Sequence, residues 1–375
     1  MSGPWERRWH PLLDEWAVIS SSSAARPWSG ARSSAASDSA PEHDPDCYLC
    51  PGVTRANGCV NAQYSGPYAF DNDFPTFAAD APVPMNAVDD APGDQALSKD
   101  PFAITASAKG QCRVLCWSDR HDVTLADLPS ESMAGVAKLW QQEFNLMKSN
   151  ADVKQVLMFE NKGVEIGVSN LHPHGQAYGL PFVASHAKRM RNAQARYAKF
   201  SVKNIDTKLA SQGQSEANEK AVSANRTNRT LLIDMLSHES VQGTLIVEQT
   251  QHWSVVVPFA ARFAYETWIV PHKFANDLST IDDQALKDLA EVYQRQAQRY
   301  DILFQRQSPN ITHFHNAPCD SHADNKHWCF HMAFQPPLRE PDKLKYLGGF
   351  ESAAGNITNP VQPEVAAARL KEIKL

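Results

Sequence analysis

The sequence predicts an α+β fold built of two similar modules packed with their sheets side by side. The main observation is an echo between the two halves of the chain. The first runs "RVLCWSDRH", a helix, "VLMFENKG" and "HPHGQ"; the second runs "ETWIVPHK", a helix, "ITHFHNAP" and "HWCFHMAF". Each unit is a strand ending in His, a long helix, a strand and a His-rich strand, which is how an internal repeat announces itself. A second observation is spacing: 51 positions separate His121 from His172, and 55 separate His272 from His327.

The elements follow in chain order. Residues 20 to 45, "SSSSAARPWSGARSSAASDSAPEHDP", are rich in Ser, Ala and Pro and read as an irregular, extended lead-in. Met133, Val136, Leu139 and Phe144 recur at helical spacing, predicting a helix near 130–149. "KQVLMFEN" reads as a buried strand. Residues 201 to 228 are polar and nearly free of aromatics, as in a mobile insertion. A second long helix is expected at about 281–305. The organisation expected is an N-terminal module over 1–195, a polar insertion over 196–230 and a C-terminal module over 231–375.

Composition narrows the function classes. The chain has 375 residues, is 42% hydrophobic and 21% charged, and carries a net charge of −6. That is ordinary for a globular protein and unsuited to a broad nucleic-acid surface. No apolar run approaches the ~20 residues of a membrane span. The start, "MSGPWERRWHPLLDEW", lacks the apolar core of a signal peptide. The terminal "IKL" carries the wrong middle residue for a peroxisomal address. A reducing, cytoplasmic location is expected, so the seven cysteines are read as thiols or metal ligands.

The chemistry concentrates in "SNLHPHGQAYG", Ser169 to Gly179. In an extended segment residues two apart face one side, and Pro173 keeps this stretch out of a helix. His172 and His174 are thus expected on one surface, with Gln176 continuing the alternation and Gly175 letting a ligand approach. Two rings and an amide suit a metal, a phosphate or both. A second cluster is "HDPDCYLCPG". Cys47-x-x-Cys50 on a turn is half of a tetrahedral zinc site. No other Cys-x-x-Cys exists to complete it, so His172 and His121 are the candidate partners; a redox pair is the alternative. If His172 serves zinc, His174 is left as a nucleophile toward phosphorus, with Gln176 and Ser169 as donors to the phosphoryl oxygens.

These motifs together resemble the galactose-1-phosphate uridylyltransferase family of the histidine-triad superfamily. The likeness covers nearly the whole chain, through "ARPWSGA", "HDPDCYLCPG", "YAFDNDF", "FENKGVEIGVSNLHPHGQA", "VVVPFAARFAYET" and "PPL...KYLGGFE". It implies histidine-triad-like modules, each an antiparallel sheet with flanking helices. It implies zinc on Cys47, Cys50, His121 and His172, and His174 as the nucleophile that becomes uridylylated. Gln176 would hold the phosphoryl group. Asn161, Gly167 and Ser169 would surround the substrate's phosphates, and Asn72, Asp73 and Phe74 the uridine. Arg26 would meet substrate phosphate across a homodimer. Lys345, Tyr346, Gly348, Phe350 and Glu351 would hold the hexose. The implied reaction is ping-pong: UDP-glucose uridylylates His174, and galactose 1-phosphate then takes the group.

The chain also departs from the family's pattern. A second metal there is often held by a glutamate and three histidines. His315 and His331 occupy two of those positions, but Ala333 stands at the third, and "HAKRMRN" offers no carboxylate where the glutamate falls. Two imidazoles make a poor site, so that metal is expected to be absent or weak, with His313 or His327 the possible substitutes. Ser23 stands where a second phosphate-facing arginine is usual. These losses lie around the sugar and leave the acceptor open to another sugar 1-phosphate. Dinucleotide hydrolases and phosphorylases of the superfamily use a third histidine where this chain has Gln176, and an amide is a poor proton donor to a leaving group.

Overall fold

The computed structural model describes residues 5–20, 40–85, 87–88, 102–212 and 230–375, the side chains of 201–212 and 239 excepted. Sixteen strands occur among them. A hairpin of β1 (Trp5–His10) and β2 (Glu15–Ser20) opens the chain. Then come β3 (Tyr68–Asp71), β4 (Ala87–Val88), β5 (Thr105–Ala106), β6 (Gln111–Cys116), β7 (Gln155–Lys162) and β8 (His174–Leu180). The second half supplies β9 (Ile246–Gln249), β10 (Trp253–Val256), β11 (Thr267–Pro271), β12 (Asn310–His315) and β13 (His331–Gln335). Short pieces β14 (Leu338–Glu340), β15 (Lys343–Leu344) and β16 (Thr358–Asn359) follow, and β16 runs parallel to β2.

Nine strands form one sheet in the order β3-β6-β8-β7-β12-β13-β11-β10-β9. Every pairing in it is antiparallel. The order is symmetric about the β7–β12 seam: β6, β8 and β7 of the first half answer β11, β13 and β12 of the second. The predicted echo is therefore a pseudo-twofold repeat, and the side-by-side modules share one continuous sheet. The symmetry equates the first residue of β8, His174, with the first residue of β13, His331.

The helices between equivalent strands cover one face. Helix α1 (Met133–Lys148) buries Met133, Val136, Leu139 and Phe144, the four residues that predicted it. Its counterpart, the helix Asp283–Phe304, starts where Asp282 caps the Ala285 N–H and stops at Gln305, in the left-handed region with φ 55°. Both contribute to a single apolar core with the sheet, including Trp140, Phe144, Tyr293 and Phe334. The other face is covered unevenly. Over the second half, Leu12, Val183, Met190, Leu232 and Leu236 pack on Trp268 and Ala333. Over the first half that face stays accessible at His174, Gln176 and Tyr178, each only partly buried.

One difference from the sequence reading lies in the polar stretch. The helix Ser185–Gln212 passes through residue 195 and carries residues 196–212, expected as insertion. Its Lys, Ala and Gln content favours helix, and no Gly or Pro interrupts before Gly213. Residues 213–229 lie outside the described residues. No described helix is long and apolar enough to cross a membrane.

Candidate active site and metal centre

The site is built where β8 begins beside the end of β7. His174, Gln176 and Tyr178 alternate along one face of β8, and Gly175, Ala177 and Gly179 turn to the helix side. On β7, Phe159 lies across from Gln176, and Asn161 follows on the same face. The neighbouring loop turns twice through glycines that need the left-handed region: Gly163 has φ 101° and Gly167 φ 77°, flanking the short turn Val164–Ile166. The result is a cavity of about 650 Å³ whose lining includes Asn161, Lys162, Val168, His172, His174 and Arg306.

Hydrogen bonds decide the state of both rings. His174 Nδ1 lies 2.7 Å from the His172 carbonyl. A carbonyl only accepts, so Nδ1 carries the proton and Nε2 the lone pair. Burial holds the His174 pKa below its ordinary value, keeping the ring neutral near pH 7. His172 Nε2 lies 3.0 Å from the Ser118 carbonyl, which by the same logic frees His172 Nδ1 to bind a metal. Gln176 is oriented by Tyr178, whose hydroxyl donates to its Oε1 at 3.0 Å. The amide NH2 is thus the end left to donate.

Cys47, Cys50, His121 and His172 come together as predicted. All four are buried, and their donor atoms lie within 4.8 Å of one another. Cys50 Sγ is 3.7 Å from His121 Nδ1 and 3.5 Å from His172 Nδ1. Tetrahedral zinc with ordinary Zn–S and Zn–N bonds sets that separation at about 3.6 Å, so the four residues fit the ion. Without a cation, burial pushes the Cys50 thiol up to about 11, with Cys47 adding to it. Asn170 braces the cluster: its Nδ2 reaches Cys47 Sγ at 3.3 Å and its Oδ1 accepts the His172 N–H at 2.8 Å. His172 and His174 line one cavity, but His172 precedes the strand in a bend and turns its Nδ1 to the thiolates.

The other predicted residues fall in two places. Asn72 follows β3, its N–H bonded to the Cys112 carbonyl, two strands from Tyr178. Asp73 is gripped by Arg55 at 3.3 Å and by Asn57 Nδ2 at 2.8 Å, and Phe74 is exposed. Lys345, Tyr346, Gly348, Phe350 and Glu351 form a separate segment. Lys345 pairs with Glu351 at 2.7 Å, Glu351 accepts the Gly348 N–H, and the two aromatics project outward. None of these five lines the His174 cavity of its own chain. Arg26 lies outside the described residues. His315 and His331 face each other across the paired strands β12 and β13, with rings stacked at 4.5 Å. His331 is buried, and His313 bonds Gln335 at 3.2 Å.

Comparison with known proteins decides the family. The family model "Galactose-1-phosphate uridyl transferase, N-terminal domain" matches residues 4–184, and its C-terminal companion matches 212–375. The chain belongs to the galactose-1-phosphate uridylyltransferase family. It is a nucleotidyltransferase. A galactose-1-phosphate uridylyltransferase of Haemophilus influenzae is 33% identical over 368 residues, covering 98% of this chain and 94% of that one. The Saccharomyces cerevisiae enzyme of the same name is 31% identical, covering 98% and 94%. The fold matches a solved uridylyltransferase with a TM-score of 0.64 at 23% identity, covering 98% and 97%. It also matches an ADP-glucose phosphorylase from Arabidopsis thaliana with a TM-score of 0.71 at 18% identity, each chain covered fully.

Sequence reasoning missed the residues that hold the site. Arg55 and Asn57, which grip Asp73, carry no motif. Tyr178 was findable, since it continues the alternation of His174 and Gln176. Glu160 and Trp117 lie inside quoted motifs but had no role assigned.

Proposed function

We propose that the chain transfers UMP from UDP-glucose to galactose 1-phosphate through a uridylyl group carried on His174. The observation that carries this is the fixed tautomer: a neutral ring whose Nε2 lone pair lines an open cavity beside an oriented amide. Nε2 attacks the uridylyl phosphorus of UDP-glucose. The N–P bond forms as the P–O bond to glucose 1-phosphate breaks. The positive charge that develops on the ring is met by the Nδ1–H bond to the His172 carbonyl, and Gln176 donates to a phosphoryl oxygen. A phosphate oxygen of galactose 1-phosphate then displaces His174 and regenerates the lone pair. Asn161 and the Gly167–Ser169 turn flank the phosphates, and Asn72, Asp73 and Phe74 take the uridine.

Cys47, Cys50, His121 and His172 would hold zinc, whose part is structural: it fastens the loop of Cys47 to the strand end that presents His174. The enzyme works as a homodimer. The hexose segment at Lys345–Glu351 does not line the cavity of its own chain, which supports its serving a partner subunit's site.

Intact-mass measurement after mixing with UDP-glucose alone tests the reading. A uridylyl-sized, acid-labile gain is expected for the wild type and none for folded His174→Ala. An equal gain in both would refute the nucleophile.

A further inference from the structure

Glu160 is a carboxyl group placed where the sheet turns to its apolar core. It lies on the helix-facing side of β7 with Val156 and Met158 and is 5% exposed. No basic side chain pairs with it among the described residues; Lys162, two residues on along the same face, reaches Asp301 instead. Its two oxygens meet neutral donors. The Trp117 indole Nε1–H reaches Oε1 at 2.8 Å, and the Tyr293 hydroxyl donates to Oε2. Burial raises the Glu160 pKa. A carboxyl buried without a cation costs free energy that an apolar side chain would not, so stability alone does not account for it.

What the group does is orient Trp117. The indole edge fills the space under Gly175: a Cβ there would stand 2.3 Å from Trp117 Cζ2. The Trp117 backbone N–H, separately from the ring, donates to the Pro173 carbonyl at 3.3 Å. Trp117 therefore touches both residues that flank His174. Its ring meets the edge of Trp140 at 6.1 Å within the apolar core, and the bond from its Nε1–H to Glu160 fixes which way the indole edge points. Tyr293 fastens the same carboxyl to the long helix of the second half, and Glu160 itself lines the His174 cavity.

We propose that Glu160 is a positioning residue for the nucleophile: it locks Trp117 beneath Gly175 and so sets the direction in which His174 Nε2 meets phosphorus. This rests on the uridylyl-histidine reading. In-line attack is sensitive to displacement, about 100-fold in rate for about 1 Å. It also makes the second half of the chain part of the first half's site.

The test is the single-turnover rate of uridylylation by UDP-glucose, followed by intact mass on the full chain, with concentration dependence measured for each variant. Glu160→Leu should slow the saturated step by about 10- to 100-fold, with the half-saturating UDP-glucose concentration within about threefold of wild type. Glu160→Gln keeps an acceptor for Trp117 and should rescue the rate to within about threefold. Trp117→Phe and Tyr293→Phe each remove one bond and should slow it by about 5- to 10-fold; they decide the matter if the leucine variant fails to fold. Folded variants that lose thermal stability yet react at the wild-type rate would overturn the positioning role alone. A wild type that takes up no uridylyl group would overturn the functional reading and the positioning role with it.

Discussion

Gly175→Ala is the most stringent check on the site's geometry. The added methyl would stand 2.3 Å from Trp117 Cζ2, 2.5 Å from Cη2 and 3.0 Å from the Phe159 carbonyl oxygen. Ordinary contact begins at 3.4 Å, so something must move by about 1.1 Å. The indole is pinned by Glu160, and Gly175 pairs with Leu115 on one side and Glu160 on the other. The strand start is the softer element, and it carries His174. Overpacking of this kind costs about 1–3 kcal/mol. For 375 residues unfolding together, about 2 kcal/mol lowers Tm by only about 2–3 °C. Uridylylation should fall much further, by about 100-fold, because the nucleophile shifts by about 1 Å. Differential scanning calorimetry and single-turnover mass measurement read the two effects separately. A folded variant with wild-type turnover would show that the Trp117–Gly175 contact does not hold the nucleophile.

Other outcomes follow from the same structure. Cys50→Ser should lower bound zinc and reduce Tm by about 5 °C or more, and unchanged metal content would count against the four-residue centre. Tyr178→Phe frees the Gln176 amide and should slow transfer about fivefold; no change would mean that the hydroxyl does not orient it. The saturated rate of uridylylation should stay level down through pH 6.5 and fall only in more acid solution, because burial keeps the His174 ring neutral there. An acid limb above pH 6.5 would refute that. Burial also lowers His10 to about 3 and His313 to about 4. Below pH 6.5 the unfolded chain then binds protons that the folded one does not, so stability, full above 6.5, should drop toward pH 4. A Tm that holds or rises on acidification would contradict it.

By itself the sequence determined what local pattern and chemical type can determine. Met133, Val136, Leu139 and Phe144 marked a helix because its period is written in the spacing of apolar residues. The two-part repeat was legible because equivalent strands and helices recur in the same order. Cys47-x-x-Cys50 and the His-Pro-His stretch pointed to a metal site and to phosphorus chemistry because few residue types suit either. Tertiary structure decided what distant segments do to one another. That β7 pairs with β12, making one sheet of two modules, depends on edge strands meeting across roughly 150 residues, which no local period encodes. The tautomers of His172 and His174 depend on which carbonyl each ring meets. The support of Gly175 by Trp117, Glu160 and Tyr293 joins three elements from both halves. Packing and hydrogen bonding are set by distances in space, and a sequence records only distances along the chain.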